Sequence, residues 1–399
     1  MKQNTTYKQT ELGLIPEDWE VKKLGEILKE YSLGGNYENN SEESGIPLIK
    51  MGNIGRGKID LSKIEYLPKN VNYSKNDILK YNDILFNTRN TLDLVGKVSI
   101  WKNEALFALY NSNLLRLYFK EDFVENNDYV NFQFNSEITL ANLKKYATGT
   151  TSVAAIYTKD LLKLKFLLPP LPEQKKIADC LSTWDNAIEK QSQLIELLTQ
   201  RKKALMQQLL TGKKRLPGFS GEWKEVKLGE ICEIKKGSQI NKIELSSNLG
   251  FPVINGGIEP SGYHDDWNVA ENTITISEGG NSCGFINFIK EKFWSGGHCY
   301  TLQNLKININ KIFLFYFLKN SENQIMKLRV GSGLPNIQQK DIKNFEILLP
   351  KIEEQTAIAE ILATADRELQ LQKDKLAQLQ TQKKGLMQVL LTGKKRLIN

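Results

Sequence analysis

Histidine is nearly absent: His264 and His298 are the only two in 399 residues. So little imidazole leaves few candidates for acid–base chemistry near neutral pH. Cysteine is scarce and scattered, with Cys180, Cys232, Cys283 and Cys299 standing singly and no C-x-x-C pair. That argues against a zinc site and for reduced, buried thiols. In Gly280-Asn281-Ser282-Cys283-Gly284 no base lies nearby to activate the hydroxyl or the thiol. Gly96-Lys97-Val98 and Gly212-Lys213-Lys214 lack the earlier glycine and the following hydroxyl of a phosphate-cradling loop. No Asn-Pro-Pro-Tyr or Asp-Pro-Pro-Tyr segment occurs, so the chain carries no sign of methyl transfer to adenine. The first ten residues do not read as a signal peptide, and no run of 18 apolar residues exists. A cytoplasmic protein without membrane contact is expected.

What the chain does have is a long segment written twice. Sliding residues 168–216 by 181 positions lays them on 349–397 without a gap, and 24 of the 49 pairs are identical. Each copy is predicted to be a helix. Pro172 with Glu173, and Glu353 with Glu354, suit a first turn, while Gly212 and Gly393 suit left-handed caps followed by Lys-Lys-Arg against the negative end of the dipole. Counted from Glu173 to Thr211 such a helix is roughly 58 Å long at 1.5 Å per residue.

Steps of four and three give a seam of Ile177, Leu181, Trp184, Ile188, Gln191, Ile195, Leu198, Lys202, Leu205 and Leu209. The second copy gives Ile358, Leu362, Ala365, Leu369, Gln372, Leu376, Leu379, Lys383, Leu386 and Leu390. A 3.5-residue period is that of a coiled coil, and the polar positions coincide in both copies, as expected where they select register and partner. The two helices are therefore read as each other's partner. Full antiparallel overlap would place Trp184 opposite Lys383 and Ala365 opposite Lys202, with a cation over the indole.

A second repeat has a different offset. Trp19-Glu-Val-Lys-Lys-Leu-Gly-Glu-Ile returns at Trp223, 204 positions on, so the segments between front phrase and helix differ in length by 23 residues. In both, short apolar runs bounded by Asn, Asp and Gly read as strands. They are Ile46-Pro47-Leu48-Ile49 against Phe251-Pro252-Val253-Ile254, Asp83-Ile84-Leu85-Phe86-Asn87-Thr88 against Asn272-Thr273-Ile274-Thr275-Ile276-Ser277, and Lys97 to Trp101 against Gly284 to Ile289. A helical piece follows in each, at 127–145 and 311–328, then a Gly-Thr or Gly-Ser loop. The predicted fold class is α/β (α+β): two similar mixed globules, each followed by a long helix, the helices pairing as an antiparallel coiled coil in a pseudo-twofold internal repeat. The expected boundaries are 1–168, 169–216, 217–349 and 350–399.

Lys and Arg number 54 against 46 Asp and Glu, for a net charge of +8 and a sequence pI near 9.0. The excess leans toward a polyanionic partner, though part of it ends the two helices.

Two divergent globules alternating with near-identical helices resemble the specificity subunit of a Type I restriction-modification system. The phrases that carry the resemblance are Leu168-Pro169-Pro170-Leu171-Pro172-Glu173-Gln174 with Ile177-Ala178, Leu209-Leu210-Thr211-Gly212, Leu24-Gly25-Glu26, Asp83-Ile84-Leu85-Phe86-Asn87-Thr88-Arg89, and Pro252-Val253-Ile254-Asn255-Gly256-Gly257. The second helix departs from the pattern at Lys351-Ile352-Glu353, in its entry turn.

The resemblance implies globules that act as target-recognition domains, each reading half of a split sequence in double-stranded DNA. It implies helices that dock two modification (methyltransferase) subunits and restriction (translocase/endonuclease) subunits. S-adenosylmethionine, ATP and Mg would then belong to those partners, with no cofactor or metal in this chain and no catalysis by it. Loops that combine glycine with polar or basic side chains are the candidates for contacting DNA. In the first globule these are Lys50, Asn53, Arg56, Lys58, Arg89, Asn90, Thr150 and Ser152; in the second Asn255, Ser261, Tyr263, His264, Asn281, Ser282, Ser332 and Asn336. His298, beside Gly296 and Gly297, is read as structural. Two other readings also fit these residues, a stand-alone DNA-binding protein and a coiled-coil interaction scaffold.

Overall fold

The computed structural model describes residues 6–43, 45–331, 333 and 335–397. It divides into two compact units, residues 1–191 with 375–399, and residues 192–374. Each unit therefore contains one globule, the beginning of one long helix and the end of the other.

Both long helices are continuous, Leu171–Leu209 and Ile352–Leu390, 39 residues each. Their acidic first turns hold Glu173 and Glu353 with Glu354. They stop where glycine permits a left-handed residue, Gly212 at φ 70° and Gly393 at φ 69°. The Lys214 amide then bonds back to the Gln208 carbonyl at 3.2 Å and the Lys395 amide to Val389 at 3.0 Å, satisfying carbonyls that the helix end leaves open.

In the first unit the two helices run antiparallel. Lys383 Nζ is 2.7 Å from Asp185, and twelve residues back along the first helix Glu173 meets Arg396 at 2.7 Å, past the end of the second. Within the second unit the same exchange recurs, Lys202 with Asp366 and Arg215 with Glu354 at 2.7 Å. All twenty seam positions are buried or half-buried, whereas Leu194, Leu197 and Leu371 off the seam are exposed.

One expectation changes here. Lys383 does not settle over Trp184: its ammonium pairs with Asp185 and lies 5.1 Å from the Phe132 ring centroid. Lys202 likewise pairs with Asp366, 5.6 Å from the Tyr316 ring. A charge-assisted bond to the neighbouring carboxylate outweighs contact with an indole face.

In the first unit, a four-stranded sheet orders Leu28–Leu33, Leu114–Phe119, Ile84–Asn87 and Val98–Ile100, all antiparallel. Its counterpart in the second unit orders Glu233–Lys236, Cys299–Gln303, Thr273–Ser277 and Ile286–Ile289. The predicted helical pieces each divide in two, Asn127–Phe134 with Glu137–Tyr146 and Lys311–Asn320 with Glu322–Met326. Each split falls at a serine: Ser136 caps the helix after it through its side chain, and the Ser321 amide closes the helix before it. Both cores join a globule to helix ends. Trp19, Phe86, Phe134 and Phe166 pack with Ile177, Leu181 and Leu390, while Phe313, Leu314, Ile274 and Ile276 pack with Leu209, Ile358 and Leu362.

The four cysteines are unpaired. Burial pushes the Cys232 thiol up to about 12 and Cys299 to about 11, and raises Cys283 as well, while Cys180 is half-buried. Only the thiolate attacks a disulfide reagent. At pH 8 the native protein is expected to release one equivalent from Ellman's reagent, through Cys180, and four after denaturation; rapid release of two or more from native protein would contradict this.

Candidate nucleic-acid interface

The first unit gathers its candidates unevenly. Arg89–Asn90 pairs with Ala154–Ala155, which pairs in turn with Thr148–Gly149. This three-stranded patch brings Arg89 and Asn90 beside the tip that holds Thr150 and Ser152. The Leu92 amide bonds to the Thr151 carbonyl at 3.1 Å and fixes the two loops together. Arg89, Thr150 and Ser152 are exposed, and Asn90 is half-buried. Arg56 reaches the Asp93 carbonyl at 3.4 Å and borders the same face; partial burial lowers its guanidinium from the ordinary arginine range.

The other three candidates of this unit are drawn into its own structure. Lys50 is tied to Glu65 at 2.8 Å and to Asn39 at 3.0 Å. Asn53 is 2% exposed, accepting from the Lys50 amide and donating to the Asp60 carbonyl, so it shapes its turn rather than offering an amide to a ligand. Lys58 points its ammonium at Glu189, 3.4 Å away on the first long helix. The candidates Lys50, Asn53, Arg56 and Lys58 lie on a segment that is longer than its match in the second unit. From Ile49 to Ile84 the chain runs 35 residues, and over the matching stretch, Ile254 to Ile274, it runs 20.

In the second unit Asn255, Asn281, Ser282 and Asn336 converge. The Asn255 side-chain oxygen accepts the His298 amide at 3.0 Å, the Ser282 hydroxyl bonds to the Gly256 carbonyl, and Asn336 pairs through its backbone with Gly279. Asn281 is exposed. Ser261, Tyr263 and His264 belong to another edge, where Tyr263–His264 pairs with Phe251–Ile254. There His264 Nδ1 takes the Asp266 amide at 3.0 Å, and its ring stands edge-on to Trp294. Ser332 lies outside the described residues.

Three residues that no sequence pattern singles out as DNA contacts sit at this convergence. Lys236, Glu278 and His298 line one cavity of about 390 Å³ with Asn255, Gly279 and Asn336. His298 is exposed and lines that cavity.

Backbone bonds show that the two patches occupy one place in the repeated fold. The Thr88 amide bonds to Asn113 and its carbonyl accepts Ile156; the Glu278 amide bonds to His298 and its carbonyl accepts Ile337. Thr88 thus corresponds to Glu278, and Arg89-Asn90 to Gly279-Gly280. The left-handed residues Asn82 and Asn272 open the two strands, so the matched phrases are offset by one residue from the pairing expected between Asp83 and Asn272.

Among the described residues, no group of three or more His, Cys, Asp or Glu could hold a metal ion, and no helix is long and apolar enough to cross a membrane.

The family model described as "Type I restriction modification DNA specificity domain" matches residues 16–200 and again 220–381. A protein of Methanocaldococcus jannaschii assigned as the specificity subunit of the type I restriction enzyme MjaX is 30% identical, over 98% of this chain and 97% of its own. The specificity subunit of the type I restriction enzyme MjaVIII from the same organism is 27% identical, over 96% and 95%. Among solved structures, the crystal structure of a Type I restriction-modification S subunit from M. genitalium shares the fold with a TM-score of 0.65 at 19% identity, covering 98% of this chain and 97% of that one. With two family domains, each ending in a long helix that pairs with the other, this chain belongs to the Type I restriction-modification DNA specificity family.

Proposed function

We propose that this chain is the non-catalytic specificity subunit of a cytoplasmic Type I restriction-modification complex. It reads a bipartite duplex, one half-site with the globule 1–168 and the other with 217–349. Its paired helices, 169–216 and 350–399, dock two modification subunits and the restriction subunits. Those partners supply S-adenosylmethionine, ATP, Mg and the chemistry.

The observation that carries this reading is the pair of equivalent patches, the same position built twice with different residues. Arg89 and Asn90 offer donors suited to guanine and adenine edges, whereas the second patch presents a carboxylate and glycines. One scaffold with two chemistries suits two unlike half-sites. Lysines and arginines around each patch supply the phosphate contacts whose strength falls with salt.

Mapping methylated adenines in a genome, with and without the gene, tests the reading. A split motif should appear only with the gene, and methylation that does not depend on it would reject the proposal. Exchanging residues 19–168 for the matching globule of another family member is expected to rewrite one half-site and leave the other letter for letter. Changes in both half-sites would rule out independent reading.

A further inference from the structure

Glu278 is a carboxylate whose surroundings the fold does not satisfy. It follows the strand Thr273–Ser277 and is 8% exposed. Its Oε1 accepts Lys236 Nζ at 2.6 Å and lies 3.0 Å from the Tyr300 hydroxyl. Its Oε2 is buried with no hydrogen-bond partner, and His298 Nδ1 stands 3.4 Å away. A buried oxygen of a charged group left without a donor is costly. The fold nevertheless keeps it beside an open cavity. Gly280 at the rim has φ 75°, and a Cβ there would meet nothing within 4 Å, so the rim is open beside it.

We propose that this cavity receives the edge of a nucleobase bearing an exocyclic amino group, cytosine or adenine, and that Glu278 Oε2 accepts that group. The proposal rests on the chain reading DNA as set out above and names the chemistry at one of its positions. An ionised carboxylate can only accept. In the major groove the donors on offer are N4 of cytosine and N6 of adenine, while guanine and thymine present acceptors that would face Oε2 unfavourably. A carboxylate brought against DNA also needs cations beside it. Lys236, with its side chain half exposed, provides one at the end of the strand Glu233–Lys236. His298 is exposed, so its ring can turn aside as the base enters. The first unit has Thr88 in the place of Glu278, followed by Arg89, so the two units should not select the same base there.

The test uses the assembled complex with its modification partner. Methylation mapping with unchanged protein first defines the bipartite motif; if no split motif appears, the proposed function itself fails. With the motif in hand, Glu278→Gln is expected to relax one cytosine or adenine position of one half-site about tenfold. Lys236→Ala should weaken binding evenly at all positions and flatten its salt dependence. An E278Q motif unchanged at every letter overturns the inference and leaves Lys236, Glu278 and Tyr300 as a strand tie. If E278Q does not assemble, competition between duplexes with the unchanged complex decides. Removing one exocyclic amine at a time should reveal a position in that half-site that loses about tenfold, with cytosine and adenine scans telling the two bases apart. No such position overturns the proposal.

Discussion

Replacing Glu173 with alanine is expected to destabilise the first unit by about 3–5 kcal/mol, the range for removing one partner of a buried ion pair. Its carboxylate is 2% exposed and holds four groups at once. Arg396 donates through Nε and Nη2, the Trp19 indole donates at 3.0 Å, and the Leu397 amide at 3.2 Å. Arg396 also grips Asp18 at 2.7 Å, and Tyr7 bonds to the Gly393 carbonyl, so one residue anchors the start of the first helix, the close of the second and the N-terminal segment. With Glu173 gone, the guanidinium, 8% exposed along its side chain, would lose its buried partner and keep only the exposed Asp18.

The second unit provides the control. Glu354 holds Arg215 in the same bidentate way, but Arg215 is 29% exposed and leans on the Gly221 carbonyl, and the Trp223 indole nitrogen has no hydrogen-bond partner. Glu354→Ala should therefore cost clearly less. Urea titration of both variants measures the difference, and equal losses would refute the role given to the extra donors.

Deleting seven residues from the middle of each long helix is expected to shorten the unread spacer by about three base pairs and leave both half-sites unchanged. Seven residues are two turns of the 3.5-residue seam, so the apolar face is kept while about 10 Å of rise is lost. A base pair rises about 3.4 Å. Both helices must be shortened together, because the pairs Lys202–Asp366 and Lys383–Asp185 fix them against each other in each unit. A deletion in one helix alone should misalign one of those pairs and abolish methylation. The motif recovered from methylation mapping reads the result directly, and new letters in the half-sites would dismiss the idea of a helical ruler.

The helices are legible in the amino-acid sequence, because a 3.5-residue period and two glycine stops report local chemistry. Even the clamp is visible there in outline: Glu173, Asp185, Lys202 and Arg215 all recur at the same offset in the second copy. The antiparallel crossing is expected from the seam as well; which carboxylate meets which cation emerges only from the fold. Loop side chains are harder to read. Lys50 and Asn53 have the composition of a DNA contact, but Lys50 spends its ammonium on Asn39 and Glu65 and Asn53 spends its amide on its own turn, which composition cannot reveal. Lys236, Glu278 and His298 escape notice for the opposite reason. They come from three sequence-distant stretches, and nothing local joins them until the strands Glu233–Lys236, Thr273–Ser277 and Cys299–Gln303 pair side by side.

The exchange of partners has a consequence for how such a chain could arise. Each helix bears both halves of the clamp, Asp185 with Lys202 on the first and Asp366 with Lys383 on the second. Half of this chain is thus complementary to a second copy of itself, the condition for a twofold homodimer. Such a dimer would be confined to palindromes, since identical heads read identical words. Joining two copies in one polypeptide lifts that restriction: one head can keep an arginine while its twin acquires a glutamate, and the frame that unites them need not change.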